Sequence, residues 1–224
     1  MSLEAAARRL ESFYRGELTD RLANLEGTFQ GCDRVAAAQL CSGGQLDDSL
    51  IKAALVMKKV AGQINVVIHA VGILIALPRI LERDERVEYL SLGAGNTGRE
   101  FDLATDRRIA EFKFIRWRGG AETIRQNSLF KDFFGLAEAE GKRGRYLYVL
   151  GLTHPLRFFN GRRALSSVLS KNAAVAARYK ELYGDVFTVV REYYNHRKER
   201  VEIVDLLERV PELADLPSEQ GNTT

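Results

Sequence analysis

The sequence predicts an α/β protein, on three observations. Apolar residues recur at three- and four-residue spacing through most of residues 3–81. Between residues 87 and 117 the period drops to two, and a continuous apolar run at residues 146–152 follows one more helical stretch.

In residues 3–25, Leu10, Phe13, Tyr14, Leu18, Leu22 and Leu25 form one amphipathic stripe, and Gly27 and Gly31 are expected to end that helix. A loop with Gly43 and Gly44 follows. Asp47, Asp48 and Ser49 then suit the N-cap of a long helix over residues 50–81, broken at Gly62 or Gly72 and ended by Pro78. Its most apolar part, residues 64–77, contains Asn65 and His69 and falls short of the roughly 20 residues that a membrane span needs. It reads as a buried core helix, and no membrane partner is expected.

Three strands come next, over residues 87–92, 100–105 and 109–117. Asp106, Arg107 and Arg108 fit a tight turn between the second and third, which makes those two an antiparallel hairpin. Gly119 and Gly120 close the third strand. Residues 121–139 read as a helix, 141–144 as a loop and 146–152 as a fourth, buried strand. From residue 164 onward the chain reads as helical, with 173–183 and 201–210 strongly periodic. The expected organisation is an N-terminal helical segment (1–46), an α/β core (47–163), C-terminal helices (164–216) and a frayed tail (217–224). The two terminal helical segments read as surfaces for partner binding or for a homodimer.

The 33 Lys and Arg against 30 Asp and Glu give a formal net charge of +3, and 46% of residues are hydrophobic, an ordinary globular composition. Four prolines and two cysteines, Cys32 and Cys41, argue against a Pro-rich linker, a disulfide scaffold and a zinc ribbon. The cysteines lack neighbouring histidines and read as inert thiols, with a reducing cytoplasm as the expected compartment. Residues 1–21 mix acids with arginines and lack the apolar region of a signal peptide. The charge is uneven along the chain. Residues 107–163 hold 13 basic and 5 acidic side chains, a net +8, whereas 1–106 hold 12 and 15 and 164–224 hold 8 and 10. A local surplus of this kind suits phosphate binding. Arg116, Arg118, Arg125, Lys131, Arg157, Arg162 and Arg163 are its candidate contacts, Arg162 and Arg163 being the best pair.

Within that block, Glu111 and Lys113 are two residues apart on a strand, so they share a face with Ile109, Ile115 and Trp117, while Ala110, Phe112 and Phe114 occupy the other. A charged pair in the middle of an otherwise apolar strand must be paired, bound to a metal or turned into a cleft. Folding back through the hairpin brings Asp102 beside Glu111. Two adjacent carboxylates repel unless a cation lies between them, and a hard cation such as Mg²⁺ prefers carboxylate oxygen. Lys113 beside it suits charge stabilisation on a phosphoryl oxygen. The group fits phosphodiester hydrolysis.

Asp102, eight intervening residues, then Glu111-Phe112-Lys113, in a helix, three-strand, helix, strand order, resembles the PD-(D/E)XK superfamily of restriction-endonuclease-like nucleases. The resemblance covers residues 50–155. It implies a restriction-endonuclease-like core, Mg²⁺ or Mn²⁺ as cofactor and DNA as partner. By the same resemblance Asp102, Glu111 and the Phe112 main-chain carbonyl hold the metal, and Lys113 is the catalytic lysine. Gln126 and Phe130 resemble the Q-x-x-x-Y pattern of RecB-like members, with Phe130 lacking the tyrosine hydroxyl. His69 resembles the upstream histidine ligand of those members, and it also fits a hydrogen-bonded core histidine.

Two other readings stand beside this one. A nuclease-fold module without activity would bind nucleic acid or serve an assembly. Gly93, Gly95 and Gly98 spell G-x-G-x-x-G, which suggests a nucleotide or S-adenosylmethionine site. The Rossmann form of that site needs a crossover helix, and too few residues separate Gly98 from the next strand, so a strand-to-strand loop is expected. His154 is expected to cap a turn, and Tyr193, Tyr194 and His196 to pack or lie on the surface.

Overall fold

The computed structural model describes residues 1–14, 18–58, 64–93, 98–117 and 123–215. Among these the chain is α/β, with ten helices on a five-stranded mixed sheet in sequential order. The helices α1 (Leu3–Tyr14), α2 (Leu18–Phe29), α3 (Arg34–Gly43), α4 (Asp48–Lys58) and α5 (Ile64–Ile80) come first. They are followed by β1 (Val87–Leu90), β2 (Leu103–Thr105), β3 (Arg108–Lys113), α6 (Thr123–Glu138) and β4 (Gly144–Val149). The chain then forms α7 (Thr153–Phe159), α8 (Leu165–Leu169), α9 (Ala173–Tyr183), α10 (Val190–Arg197) and β5 (Glu202–Asp205), and ends in short 3-10 turns.

The sheet has helices on both faces, and each face has its own core. Ala110, Phe112 and Phe114 of the β3 segment pack with α1 to α5, whereas Ile109, Leu147 and Val149 pack with α6 to α10. The alternation expected along β3 is therefore observed, and it divides the apolar side chains between two helical layers. The hairpin is also as expected. β2 and β3 are antiparallel with Leu103 opposite Ala110, and β3 then runs parallel to β4, with Lys113 opposite Val149.

Several boundaries differ from expectation. The stripe over residues 3–25 belongs to two helices, α1 and α2, and Gly27 lies inside the second rather than ending it. Residues 34–43 form a helix of their own, capped by Asp33, whose side chain accepts from the Ala36 N–H. Asp47 caps α4 in the same way, accepting from the Leu50 N–H at 3.1 Å. Gly62 lies outside the described residues. Gly72 does not break α5: a Cβ there would overlap the Phe114 ring, so its small size lets β3 approach the helix. Pro78 sits in the last turn of α5 rather than after it.

Two elements run against the expected pattern. Residues 153–159, which hold His154, form α7. Residues 202–205 form β5, a strand where a helix was expected, parallel to β4 with Leu147 opposite Ile203. A run of four residues is too short for its period to separate strand from helix, and pairing with β4 decides the outcome. No helix among the described residues is long and apolar enough to cross a membrane.

Candidate active site

The site is built where β2 stops and β3 continues. β2 begins at Leu103, so the last residues of β3 have no backbone partner on that side. The side chain of Asp102 takes the place of the missing strand: its Oδ2 accepts from the Phe112 N–H at 2.9 Å. Its other oxygen, Oδ1, lies 3.2 Å from His69 Nε2 on α5. An ionised carboxylate only accepts, so the histidine proton sits on Nε2. Gly72, one turn beyond His69, admits Phe114 against α5, and the His69 ring stands edge-on to that phenyl at 5.9 Å.

Glu111 comes from β3 and meets Asp102 directly. Continuing the register that sets Leu103 opposite Ala110 puts Asp102 opposite Glu111, the juxtaposition that the hairpin predicted, close enough for each carboxyl group to act on the other. The two respond to burial differently. Burial pushes the Glu111 carboxyl up to about 10, with the Asp132 and Asp102 charges adding to the rise. Burial also acts to raise Asp102, but the His69 hydrogen bond and charge and the Phe112 N–H outweigh it and hold Asp102 below the usual range. The two carboxyl groups are thus driven apart in acidity, Glu111 upward and Asp102 downward.

Lys113, on the same face as Glu111, is two residues farther along the strand. Burial opposes its charge, yet Asp132 and Glu111 raise its pKa and keep it an ammonium. That ammonium forms an ion pair with Asp132 Oδ2, an oxygen it meets off the ideal hydrogen-bond angle. Asp132 is 6% exposed and sits on α6 between Lys131 and Phe133. It was not anticipated from sequence. The signal was present: Leu129, Phe133 and Leu136 mark the buried face of α6, and Asp132 is an acid on that face.

No described protein family, curated protein or solved structure matches this chain. The site must therefore be judged on its own groups. Three carboxyl groups act on one lysine, Asp132 through an ion pair and Glu111 and Asp102 through their charge. Neighbouring carboxylates are hard oxygen donors, the type that Mg²⁺ or Mn²⁺ takes. Among the described residues no three His, Cys, Asp or Glu side chains are grouped so that they could hold a metal ion.

The remaining expected residues separate into groups. Gln126 accepts from the Arg163 guanidinium, which also donates to Ser167, so this pair links α6 to the start of α8. Arg125 lines a cavity with Lys113. Lys131 lines a larger cleft of about 920 Å³ that Glu111 and Asp132 also reach. Arg157 and Arg162 are exposed. Arg116 donates to the Ala214 carbonyl at 2.8 Å, which ties it to the C-terminal turns. Arg118 and Gly95 lie outside the described residues. Phe130 is 1% exposed and packs against Tyr193 and Phe134, a core role that needs no hydroxyl. His154 faces Trp117 within α7 instead of capping a turn. Cys32 and Cys41 are buried and free, and burial raises both thiols, to about 11 and about 12. After β1 the next described strand is antiparallel to it, so the crossover of a Rossmann site does not follow Gly93.

Proposed function

We propose that this chain is a metal-dependent nuclease with a restriction-endonuclease-like core, hydrolysing DNA phosphodiester bonds at Asp102, Glu111 and Lys113. The observation that carries the reading is the register that puts the Asp102 and Glu111 carboxyl groups opposite each other, with Lys113 on the same face. The order of helix α5, strands β1 to β3, helix α6 and strand β4 supports the finer fold.

Asp102, Glu111 and the Phe112 carbonyl would hold the cation. A divalent ion bound there supplies positive charge against the phosphodiester anion and the charge that develops during its hydrolysis. His69 and the Phe112 N–H fix the Asp102 carboxylate from two directions, so it is oriented before any ligand arrives. Lys113 presents a fixed ammonium to a phosphoryl oxygen, and Asp132 keeps that ammonium in place. Gln126 orients Arg163, and the exposed Arg162 beside it extends the basic surface along the DNA backbone.

The test uses plasmid and linear DNA with Mg²⁺ or Mn²⁺. The wild type is expected to cut, and Lys113→Ala to cut at least about 100-fold more slowly. No cutting by the wild type, or equal cutting by both, defeats the reading. One observation favours a second reading, a nuclease-fold module that binds nucleic acid without cutting it. Lys113 is already satisfied by Asp132. Steeply salt-dependent DNA binding without metal-dependent cleavage would select that reading.

A further inference from the structure

On the α5 side of the sheet the aromatic side chains form one continuous row. Arg108 lies over the Tyr146 ring, Tyr146 stacks on Tyr148 with centroids 5.9 Å apart, and Tyr148 stacks on Phe112 at 4.8 Å. Phe112 is parallel to Phe114, at 5.9 Å with 2° between their planes. The row ends on His69, whose ring stands at 83° to that of Phe114. Tyr148 and Phe112 are buried in the core, and the Tyr148 hydroxyl accepts from Arg108, so the row has a firm backing.

Phe114, just beyond β3, is therefore held from two sides. Phe112 backs it along the row, and Gly72 of α5 lies against its rim, where an added Cβ would overlap the ring. His69 needs such a wall. Its position on α5 does not fix the plane of its imidazole, because rotation about the bond to the ring is broad and roughly two-fold. Phe114 restricts that rotation, and the orientation that results places Nε2 3.2 Å from Asp102 Oδ1. The second oxygen of Asp102 accepts from the Phe112 N–H. Phe112 and Phe114 thus support one carboxylate by two routes, an amide directly and a ring through the histidine.

We infer that Phe114 is a positioning residue: its ring, seated against Gly72, fixes the plane of the His69 imidazole and through it the direction of the Asp102 carboxylate. The effect on cleavage rests on the nuclease reading, whereas the positioning itself rests on the packing alone.

The experiment observes His69 directly, by long-range ¹H–¹⁵N correlation of the imidazole nitrogens in the full metal-free chain. The sequence has three histidines, and His69→Gln identifies the signals by their loss. The wild type is expected to give one set with the proton on Nε2. Phe114→Leu keeps the position apolar but removes the flat wall, and it is expected to abolish that preference. Gly72→Ala is expected to do the same by displacing the ring. Phe159→Leu, at an equally buried phenylalanine on the other face of the sheet, is expected to leave the His69 signals unchanged. A wild type without the Nε2 preference, wild-type signals in folded Phe114→Leu or Gly72→Ala, or an equal loss in Phe159→Leu overturns the inference. With plasmid DNA and Mn²⁺, Phe114→Leu is expected to cut about tenfold more slowly than Phe159→Leu. Equal cutting by those two also overturns it. Loss of the Nε2 preference in Phe114→Leu, with no cutting by the wild type, supports the positioning and defeats the nuclease reading.

Discussion

β3 carries a buried charge cluster at each end, and the two are built on opposite principles. At its start Arg108, 6% exposed, faces Glu85, 0% exposed, in a two-pronged pair with Nε and one terminal nitrogen each 2.5 Å from a carboxylate oxygen. Thr105 Oγ1 donates to Glu85 at 2.6 Å, the Glu82 N–H donates at 3.0 Å, and the remaining Arg108 nitrogen donates to the Tyr148 hydroxyl at 3.1 Å. Arg108 also lies over the Tyr146 ring. One buried positive charge meets one buried negative charge, with the exposed Glu82 carboxylate 3.8 Å from Arg108 at the rim, and both Glu85 oxygens are satisfied. At the far end three carboxyl groups act on a single lysine, and burial and the neighbouring charges push one of them, Glu111, far up. The first cluster is closed. The second is short of positive charge, and such a deficit in a buried site favours a cationic ligand.

If that contrast is right, the clusters answer substitution with opposite signs. The largest expected effect is at the closed end. Arg108→Met leaves the buried Glu85 without its counter-charge and should cost about 3–5 kcal/mol in denaturant unfolding. Neutralising the open end should do the reverse. Glu111→Gln is expected to stabilise the metal-free protein by about 1–3 kcal/mol at pH 8 while abolishing metal-dependent cleavage. Loss of stability in that variant would contradict the charge deficit.

The pH dependence sharpens the same point. The unfolded chain releases the Glu111 proton in the ordinary carboxyl range, whereas the folded chain holds it to about 10. Between those values the unfolded state binds fewer protons, so metal-free stability falls as pH rises from about 5 to about 10. Subtracting the profile of Glu111→Gln from that of the wild type should isolate this slope. Asp132→Asn should lower cleavage about tenfold, because Lys113 loses the group that fixes its ammonium. The smallest effect expected is a rise of a few degrees in the melting temperature with millimolar Mn²⁺, absent in Glu111→Gln and in Arg108→Met unchanged in size.

The two ends also differ in how far the sequence foretold them. Asp102, Glu111 and Lys113 were legible because a hairpin turn and a period of two fix which side chains share a place. Arg108 was read as a turn residue, since nothing local to Asp106-Arg107-Arg108 shows that Glu85, 23 residues earlier, awaits it. Asp132 and β5 were missed for related reasons. Each is defined by a partner on another element, and a four-residue run or a single acid on a helix carries little signal of its own. His69 could be assigned to a helix but not to a partner, because its neighbour Asp102 lies 33 residues on.

The seat of Asp102 against the Phe112 N–H has a consequence for folding fidelity. A slip of the hairpin by one residue would send Glu111 and Lys113 to the opposite side of the sheet. The same slip would take the Phe112 amide away from the Asp102 carboxylate that now terminates the ladder. Chemistry and strand alignment are thus checked by one side chain. A misaligned hairpin would lose the Asp102–Glu111–Lys113 cluster and its end stop together.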